Sequence, residues 1–268
     1  MNYLRQTVAD DVHFEGLGLH SGVPVKVTVR PGEKGIAFRA GSARWEAFAE
    51  NVTDTTRSTR LGEVATVEHM MSALAGLEIT DAEIEVVGGE MPALDGSSIN
   101  FVDPIVAVGL EKVGEGEVHP PFKRIFIQEE KYKIAIAKGE GHWQYTYDLG
   151  DRWPGQQTFE SFSVPLEYKR EIAPARTFAL VEEIPMVLQM GLAKGLDQET
   201  ALVLGIEGYK NDPRFEDEPA RHKLLDLIGD LYLSGIPVRF LNVSAERSGH
   251  ASNVRAAAQL RQSIGTLA

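Results

Sequence analysis

The most constraining feature of this 268-residue sequence is one order of predicted elements that occurs twice. In each half, alternating apolar residues predict strands, an amphipathic stretch predicts a helix, and one more strand and one more helix follow. In the first half, strands are predicted at 23–29, 36–38 and 82–87 and helices at 67–77 and 97–110; in the second, strands at 124–127, 132–137, 143–147 and 237–243 and helices at 220–233 and 251–263. This order favours an α+β fold of two layers whose helices face each other across a domain interface.

A charged segment rich in glycine and proline separates the two halves. It runs from Glu111 to Pro121 and has the composition of a domain boundary. We therefore expect an N-terminal α+β domain at 1–115 and a C-terminal α+β domain at 116–268.

Composition narrows the class of protein. The chain has no cysteine, so it can form neither a disulfide nor a thiolate metal site. No apolar run approaches the ~20 residues of a membrane span, and the first ten residues lack the apolar core of a signal peptide. We expect a soluble, cytoplasmic protein. A net charge of −12 argues against nucleic-acid binding, and an anionic ligand would need a local basic patch.

The predicted helix at 220–233 carries three chemically competent side chains on one face. His222, Asp226 and Asp230 recur every four residues, while four aliphatic residues between them form an apolar stripe. An imidazole and a carboxylate at this spacing can bind one divalent ion, with the second carboxylate supporting a ligand or catalytic group. The alternative is a polar pair on the protein surface.

The first predicted helix offers a third ligand. Glu68 and His69 are adjacent and point about 100° apart, so one can bind the ion while the other addresses its bound water. Two histidines and an aspartate leave a coordination position open for water, as metal-assisted hydrolysis requires. Alternatively, Glu68 only stabilises the start of a solvated helix. His250, in the polar segment 248–253 before the last helix, lies where a loop could present a general acid.

These clusters, with two further motifs, resemble the zinc-dependent UDP-3-O-acyl-N-acetylglucosamine deacetylases of lipid A synthesis. The resemblance covers nearly the whole chain, and the motifs that carry it occur in order at matching separations. They are Gly16 to Gly22 near the start, Thr66-Val67-Glu68-His69, Leu94-Asp95-Gly96-Ser97, Ala175-Arg176-Thr177-Phe178, and Arg221-His222-Lys223 with Gly249-His250.

The resemblance implies a role for each of six residues. It implies His69, His222 and Asp226 as zinc ligands, Glu68 as general base, His250 as the acid that protonates the leaving amine, and Asp230 as its support. It also implies two similar β-α-α-β domains that form a sandwich with the helices between two sheets. Because a His₂Asp site accepts either ion, the metal in the cell is Zn²⁺ or Fe²⁺.

Five further residues are candidates for substrate contacts. Lys223 follows a ligand and could meet a phosphate, although a helical lysine is usually only solvated; Arg247 is a second phosphate candidate. Thr177 and Phe178 resemble the family's pair in which the hydroxyl steadies the oxyanion and the ring lies near the nucleotide, and a buried strand pair is the alternative. His20 lies near the site or serves only in a turn.

The family also has an insertion in each domain, and the second falls near 178–208. Residues 181–192 are apolar with an excess of Met and Val, and the resemblance implies a hydrophobic passage for the 3-O-acyl chain. A piece of core helix is the alternative.

The expected reaction is metal-dependent hydrolysis of the N-acetyl group of UDP-3-O-acyl-N-acetylglucosamine, the committed step of lipid A biosynthesis. The expected protein is a monomer that contacts its acylated substrate transiently. Two other interpretations stay open: an amidohydrolase for a different N-acyl sugar, and a binding protein with a structural metal.

Overall fold

The computed structural model describes residues 1–119 and 124–264, and it confirms an α+β fold with two similar sheets. The first half contains β1 (Asn2–Val8), β2 (Val12–Leu17), β3 (Pro24–Arg30), β4 (Ile36–Ala40), β5 (Ala43–Glu46), β6 (Val52–Asp54), β7 (Arg60–Leu61), α1 (Glu68–Gly76), β8 (Ala82–Val87), α2 (Ile99–Val108) and β9 (Leu110–Glu117). The second half contains β10 (Ile125–Gln128), β11 (Lys133–Lys138), β12 (Trp143–Asp148), β13 (Gln156–Ser161), α3 (Val164–Glu167), β14 (Phe178–Leu180), α4 (Ile184–Gln189), β15 (Leu202–Leu204), α5 (Glu218–Tyr232), β16 (Leu241–Glu246) and α6 (His250–Ile264).

The two large sheets have the same topology. One has the strand order β2-β3-β8-β4-β5 and the other the order β10-β11-β16-β12-β13. In both, the third and fourth strands of that order pair in parallel and every other pair is antiparallel. The repeated order of elements in the sequence therefore corresponds to a repeated sheet, with α1 and α2 of the first half matching α5 and α6 of the second.

The strands form because their apolar residues alternate. In β3, Val25, Val27 and Val29 are buried while Lys26 and Arg30 are exposed, so one face of the sheet is covered and the other is charged. The buried face packs against the helices, which lie between the two sheets and share one hydrophobic core with them.

Helices α1 and α5 pack closely against each other in the centre of this core. Every residue of α1 is buried, as are most of those of α5. The approach is close because Gly229 faces the backbone of α1: a Cβ atom there would collide with the carbonyl oxygen of Glu68. The absence of a side chain at this position allows the two helices to meet at the level of the candidate site.

The segment between the halves is more ordered than its composition indicates. Residues 110–117 form β9, which pairs antiparallel with β1 in a separate two-stranded sheet. Pro120 and Pro121 lie outside the described residues. A domain boundary after residue 115 stays a prediction. Among the helices of the described ranges, none is both long and apolar enough to span a lipid bilayer.

The region around the second predicted insertion is a small substructure of its own. Strands β14 and β15 pair in parallel, and α4 between them has no buried residue. The core-helix alternative for this segment is therefore wrong. Met186 and Met190 are about half exposed, so these two methionines do not form the wall of a hydrophobic passage within this substructure.

Candidate metal centre

Two histidines and an aspartate converge where α1 meets α5. One ligand atom from each of His69, His222 and Asp226 lies within 4.8 Å of the others, and all three residues are buried. The Nε2 atoms of both histidines lie 3.5 Å from Asp226 Oδ1. Ligands about 2.0–2.1 Å from a tetrahedral ion are separated by roughly 3.3 Å, so this group fits a single divalent ion.

The hydrogen bonds around the three side chains also fit a metal. Nδ1 of His222 donates to the carbonyl oxygen of Ala175 at 3.1 Å, which leaves the Nε2 lone pair directed at the shared space. Asp226 Oδ1 is buried and has no hydrogen-bond partner among the described residues. A buried carboxylate oxygen without a donor is costly, and a bound cation would satisfy it.

The charges of these groups suit their role as ligands. Burial lowers the pKa of His222 to about 3, so the ring is neutral and can donate its lone pair. Burial alone would raise the pKa of Asp226, but the adjacent positive charge of Lys223 outweighs burial and holds this pKa well below its ordinary value. Lys223 Nζ donates to Asp226 Oδ2 at 2.9 Å, so Oδ1 is the oxygen left for a metal.

A carboxylate and an imidazole stand next to this group. Glu68 Oε1 lies 4.0 Å from His250 Nε2, and both side chains line the same cavity as the ligands. Burial raises the pKa of Glu68. For His250, burial alone would lower the pKa, but the adjacent Asp230 carboxylate, together with Glu68 and Asp226, outweighs burial and raises the pKa to about 9.

Asp230 lies behind His250 and is completely buried. Its Oδ2 accepts hydrogen bonds from His250 Nδ1 and Asn253 Nδ2, both at 3.0 Å. Its Oδ1 accepts one from the hydroxyl of Thr59 at 2.6 Å. Asn253 and Thr59 were not predicted from the sequence as site residues. Asn253 follows His250 by three residues on α6, a spacing that could have revealed it, whereas Thr59 lies in a polar loop with no periodic signal.

The cavity at this centre has a volume of about 320 Å³ and contains nine of the eleven predicted site residues. They are His20, Glu68, His69, Thr177, Phe178, His222, Lys223, Asp226 and His250. Asp230 adjoins it through His250. Arg247 does not line it, because its guanidinium pairs with Glu246 at 3.1 Å and Asp148 at 3.9 Å.

Thr177 and Phe178 reach the cavity because a tight turn holds the start of β14. Thr177 N donates to the carbonyl oxygen of Gly96 at 2.7 Å. Gly96 has φ +78°, and a Cβ atom there would collide with the backbone of Thr200, so only glycine fits. The Phe178 ring lies 5.4 Å from Lys223 Nζ and in edge contact with His222. Phe178 and Lys223 therefore form one wall of the cavity.

The cavity is also lined by His20 and by an ion pair between Arg57 and Glu183. Glu90 accepts hydrogen bonds from the backbone amides of His20 and Ser21, which fixes the glycine-rich turn. Arg57, which was not predicted from the sequence as a site residue, lines the cavity and pairs with Glu183 at 3.1 Å. This ion pair connects the loop before β7 to the segment before α4.

An apolar cavity of about 490 Å³ adjoins the metal centre beneath α4. The two cavities share four lining residues. The other lining residues of the larger cavity are five aliphatic ones and, in addition, Asp197, Gln198, Lys210 and Asn211. The shared residues are Ala179, Val187, Ala193 and Leu196. Val181, Ile184 and Leu188 extend the apolar wall, so a chain of methylene groups could continue from the centre into this space.

The fold and the site together define a class of protein: a two-sheet α+β sandwich with a candidate single-metal centre between its central helices. Such a centre, with a carboxylate and an imidazole beside an open position, has the groups that metal-assisted hydrolysis needs. The comparisons with known proteins identify the family. The family model for UDP-3-O-acyl N-acetylglycosamine deacetylase matches residues 5–262, and this chain belongs to that family.

Individual relatives agree over most of their length. The UDP-3-O-acyl-N-acetylglucosamine deacetylase of Trichormus variabilis is 36% identical over 92% of this chain and 95% of its own. The enzyme of the same name from Aquifex aeolicus is 37% identical over 96% and 93%, and that of Anaeromyxobacter dehalogenans 38% over 93% and 84%.

Proposed function

We propose that this protein hydrolyses the N-acetyl group of UDP-3-O-acyl-N-acetylglucosamine, giving acetate and the free 2-amino sugar nucleotide. The family supports the deacetylase activity and its place in lipid A biosynthesis. The observation that carries the proposal is the convergence of His69, His222 and Asp226 beside the Glu68–His250 pair.

The proposed cofactor is one divalent ion held by His69, His222 and Asp226. Zn²⁺ is the first candidate and Fe²⁺ the second, because two imidazoles and a carboxylate suit both. Such an ion, when bound, polarises the amide carbonyl and lowers the pKa of water to about 7. Three protein ligands leave a position open, whereas a structural zinc site is usually closed by a fourth, which argues against a purely structural metal.

The proton transfers are assigned to Glu68 and His250. Glu68 accepts the proton of the attacking water through Oε1, the oxygen that faces His250. His250 donates its Nε2 proton to the departing amine, and Asp230 stabilises the imidazolium through Nδ1. The Thr177 hydroxyl, which has no hydrogen-bond partner in the described part of the chain, donates to the oxyanion.

Substrate binding is assigned to the walls of the two cavities. The cavity under α4 takes the 3-O-acyl chain, because most of its lining residues are aliphatic and it adjoins the metal centre. Phe178 and His20 flank the sugar nucleotide, and Lys223 supplies positive charge near a phosphate. Arg247 would reach a phosphate only by leaving its partners Glu246 and Asp148.

We further propose that the protein acts as a cytoplasmic monomer that binds no nucleic acid. We also propose that it has two domains, with the boundary between them after residue 115. A chain of 268 residues without cysteine suits a reducing compartment, and its charge of −12 opposes contact with polyanions.

Acetate release from two substrates tests this proposal. With stoichiometric Zn²⁺, kcat/KM for acylated UDP-N-acetylglucosamine is expected to exceed that for the non-acylated sugar at least ~10²-fold, since an acyl chain buries many methylenes at ~0.8 kcal/mol each. Equal rates would favour an amidohydrolase for another N-acyl sugar. Binding of the acylated substrate without any acetate release would favour a binding protein.

A further inference from the structure

Thr59 is a fully buried residue in the loop between β6 and β7, and all its polar groups are used. Its amide nitrogen donates to Glu68 Oε2 at 2.9 Å, and its hydroxyl donates to Asp230 Oδ1 at 2.6 Å. Its carbonyl oxygen accepts a hydrogen bond from Val67 N at 3.1 Å, just before α1 begins. One residue thus reaches a carboxylate on α1 and a carboxylate on α5.

The two contacts leave each carboxylate only one oxygen for its partner. Because the amide of Thr59 holds Glu68 Oε2, the other oxygen, Oε1, is the one directed at His250. Because the hydroxyl holds Asp230 Oδ1, the carboxylate cannot rotate without losing this bond as well as those that Oδ2 receives from His250 and Asn253. Hydrogen bonds to a buried anion are strong and directional.

We propose that Thr59 is a positioning residue that fixes both members of the proton-transfer pair, Glu68 through its backbone amide and His250 through its hydroxyl and Asp230. The assignment of the pair itself depends on the function proposed above. The two contacts use different atoms of Thr59. A side-chain substitution therefore removes the hydrogen bond to Asp230, which supports His250, and keeps the backbone hydrogen bond to Glu68. The charged or titratable groups that act on His250 are Asp230 and Asp226 of α5, Glu68 of α1, and His20.

The test substitution is Thr59→Val, which keeps the shape of the side chain and removes the hydroxyl. We expect kcat for the acylated substrate to fall about 10-fold, the effect of one lost hydrogen bond to a charged group, with KM and bound metal unchanged. Thr59→Ser should restore kcat to within about 2-fold. Thr7→Val is the matched control, because the Thr7 hydroxyl is also buried and accepts a hydrogen bond from Gly32 N far from the site. If Thr59→Val does not fold, Thr59→Ala replaces it.

A double-mutant cycle tests whether the Thr59 hydroxyl acts on the reaction through Asp230 and His250. If the hydroxyl acts through Asp230 and His250, adding Thr59→Val to His250→Ala should cost less than about 2-fold in residual kcat. A full 10-fold loss in the His250→Ala background, or a normal kcat in Thr59→Val alone, would overturn the proposal.

A spectroscopic measurement keeps this test separate from that of the function. In ¹⁵N-labelled protein, the Nδ1 proton of His250 should give a low-field NMR signal because it is bonded to Asp230. Thr59→Val should move or broaden this signal, while Thr59→Ser and Thr7→Val should not. Absence of acetate release by the wild type would contradict the proposed function, whereas an unchanged His250 signal in Thr59→Val would contradict the positioning role.

Discussion

Gly229 of α5 lies directly against the backbone carbonyl oxygen of Glu68 on α1. This contact brings together the helix that carries His222 and Asp226 and the helix that carries Glu68 and His69. The candidate metal ligands converge only because the two helices approach this closely, so we expect the candidate site to require a glycine at this position, although glycine has no chemistry of its own.

Gly229→Ala is therefore expected to destabilise the protein. In an open helix the change would add about 1 kcal/mol of stability, whereas overpacking a tight contact costs about 1–3 kcal/mol. We expect a lower Tm together with weaker metal binding, measured by thermal unfolding and elemental analysis. Gly208→Ala is the control, since no atom lies near its added Cβ. A rise in Tm for Gly229→Ala would mean that the helices are further apart than described.

Lys223→Met is expected to weaken metal binding. Lys223 orients Asp226 by donating to its Oδ2, and loss of such support typically reduces metal affinity by ~10–100-fold. Competition with a chelator measures this affinity. Lys169→Met is the control, because Lys169 is exposed and pairs with the exposed Asp103. Unchanged affinity with a raised KM would show that Lys223 serves the substrate rather than the ligand.

Glu68→Gln is expected to keep its metal and lose at least ~10²-fold in kcat. An amide can still accept the hydrogen bond from Thr59 N, so the shape of the site is preserved, but it cannot accept the water's proton. The exposed Glu63→Gln variant serves as the control. A near-normal kcat in Glu68→Gln would require a different base.

The basic limb of the pH profile of kcat/KM is expected to report His250. The proposed acid must be protonated, and its pKa of about 9 keeps it protonated at neutral pH, so activity should fall as the pH rises through the region of 9. Asp230→Asn removes the anion that raises this pKa and should move the limb to lower pH. His250→Ala should lower kcat strongly, retain metal and flatten the limb. An unchanged basic limb in His250→Ala would exclude this histidine as the acid.

The local patterns of the sequence predicted most of the fold. Strand β8 has the predicted bounds, and most other predicted elements differ from the structure by one or two residues at an end. The strand predicted at 237–243 is wrong in its bounds, because a 3₁₀ turn occupies Val238–Phe240 and β16 runs from Leu241 to Glu246. Strands β2, β5 and β13 of the large sheets were not predicted. Pairing of β1 with β9 was not predicted, since β9 is charged and rich in glycine and is specified by its partner strand rather than by its own pattern.

The candidate site was predictable where its residues share a helix. His222, Asp226 and Asp230 stack by spacing alone, and His69 and Glu68 join them only through the contact between α1 and α5. Thr59 was missed because its role depends on a loop that meets two helices, and such contacts leave no periodic signal. Arg247 was predicted as a phosphate contact from the family resemblance. Its side chain instead forms ion pairs with Glu246 and Asp148 and does not line the cavity. The sequence does not reveal which of several nearby acidic residues an arginine will pair with.

We propose that His69, His222 and Asp226 hold one metal ion and that the reaction needs this ion. The most direct measurement is elemental analysis of the wild type and of His69→Ala, His222→Ala and Asp226→Ala after the same dialysis, with acetate release assayed on each sample. We expect about one ion per wild-type chain and, in each variant, loss of both the ion and the activity, because a three-ligand site cannot spare a ligand. Full metal occupancy in two of the three variants would contradict the assignment.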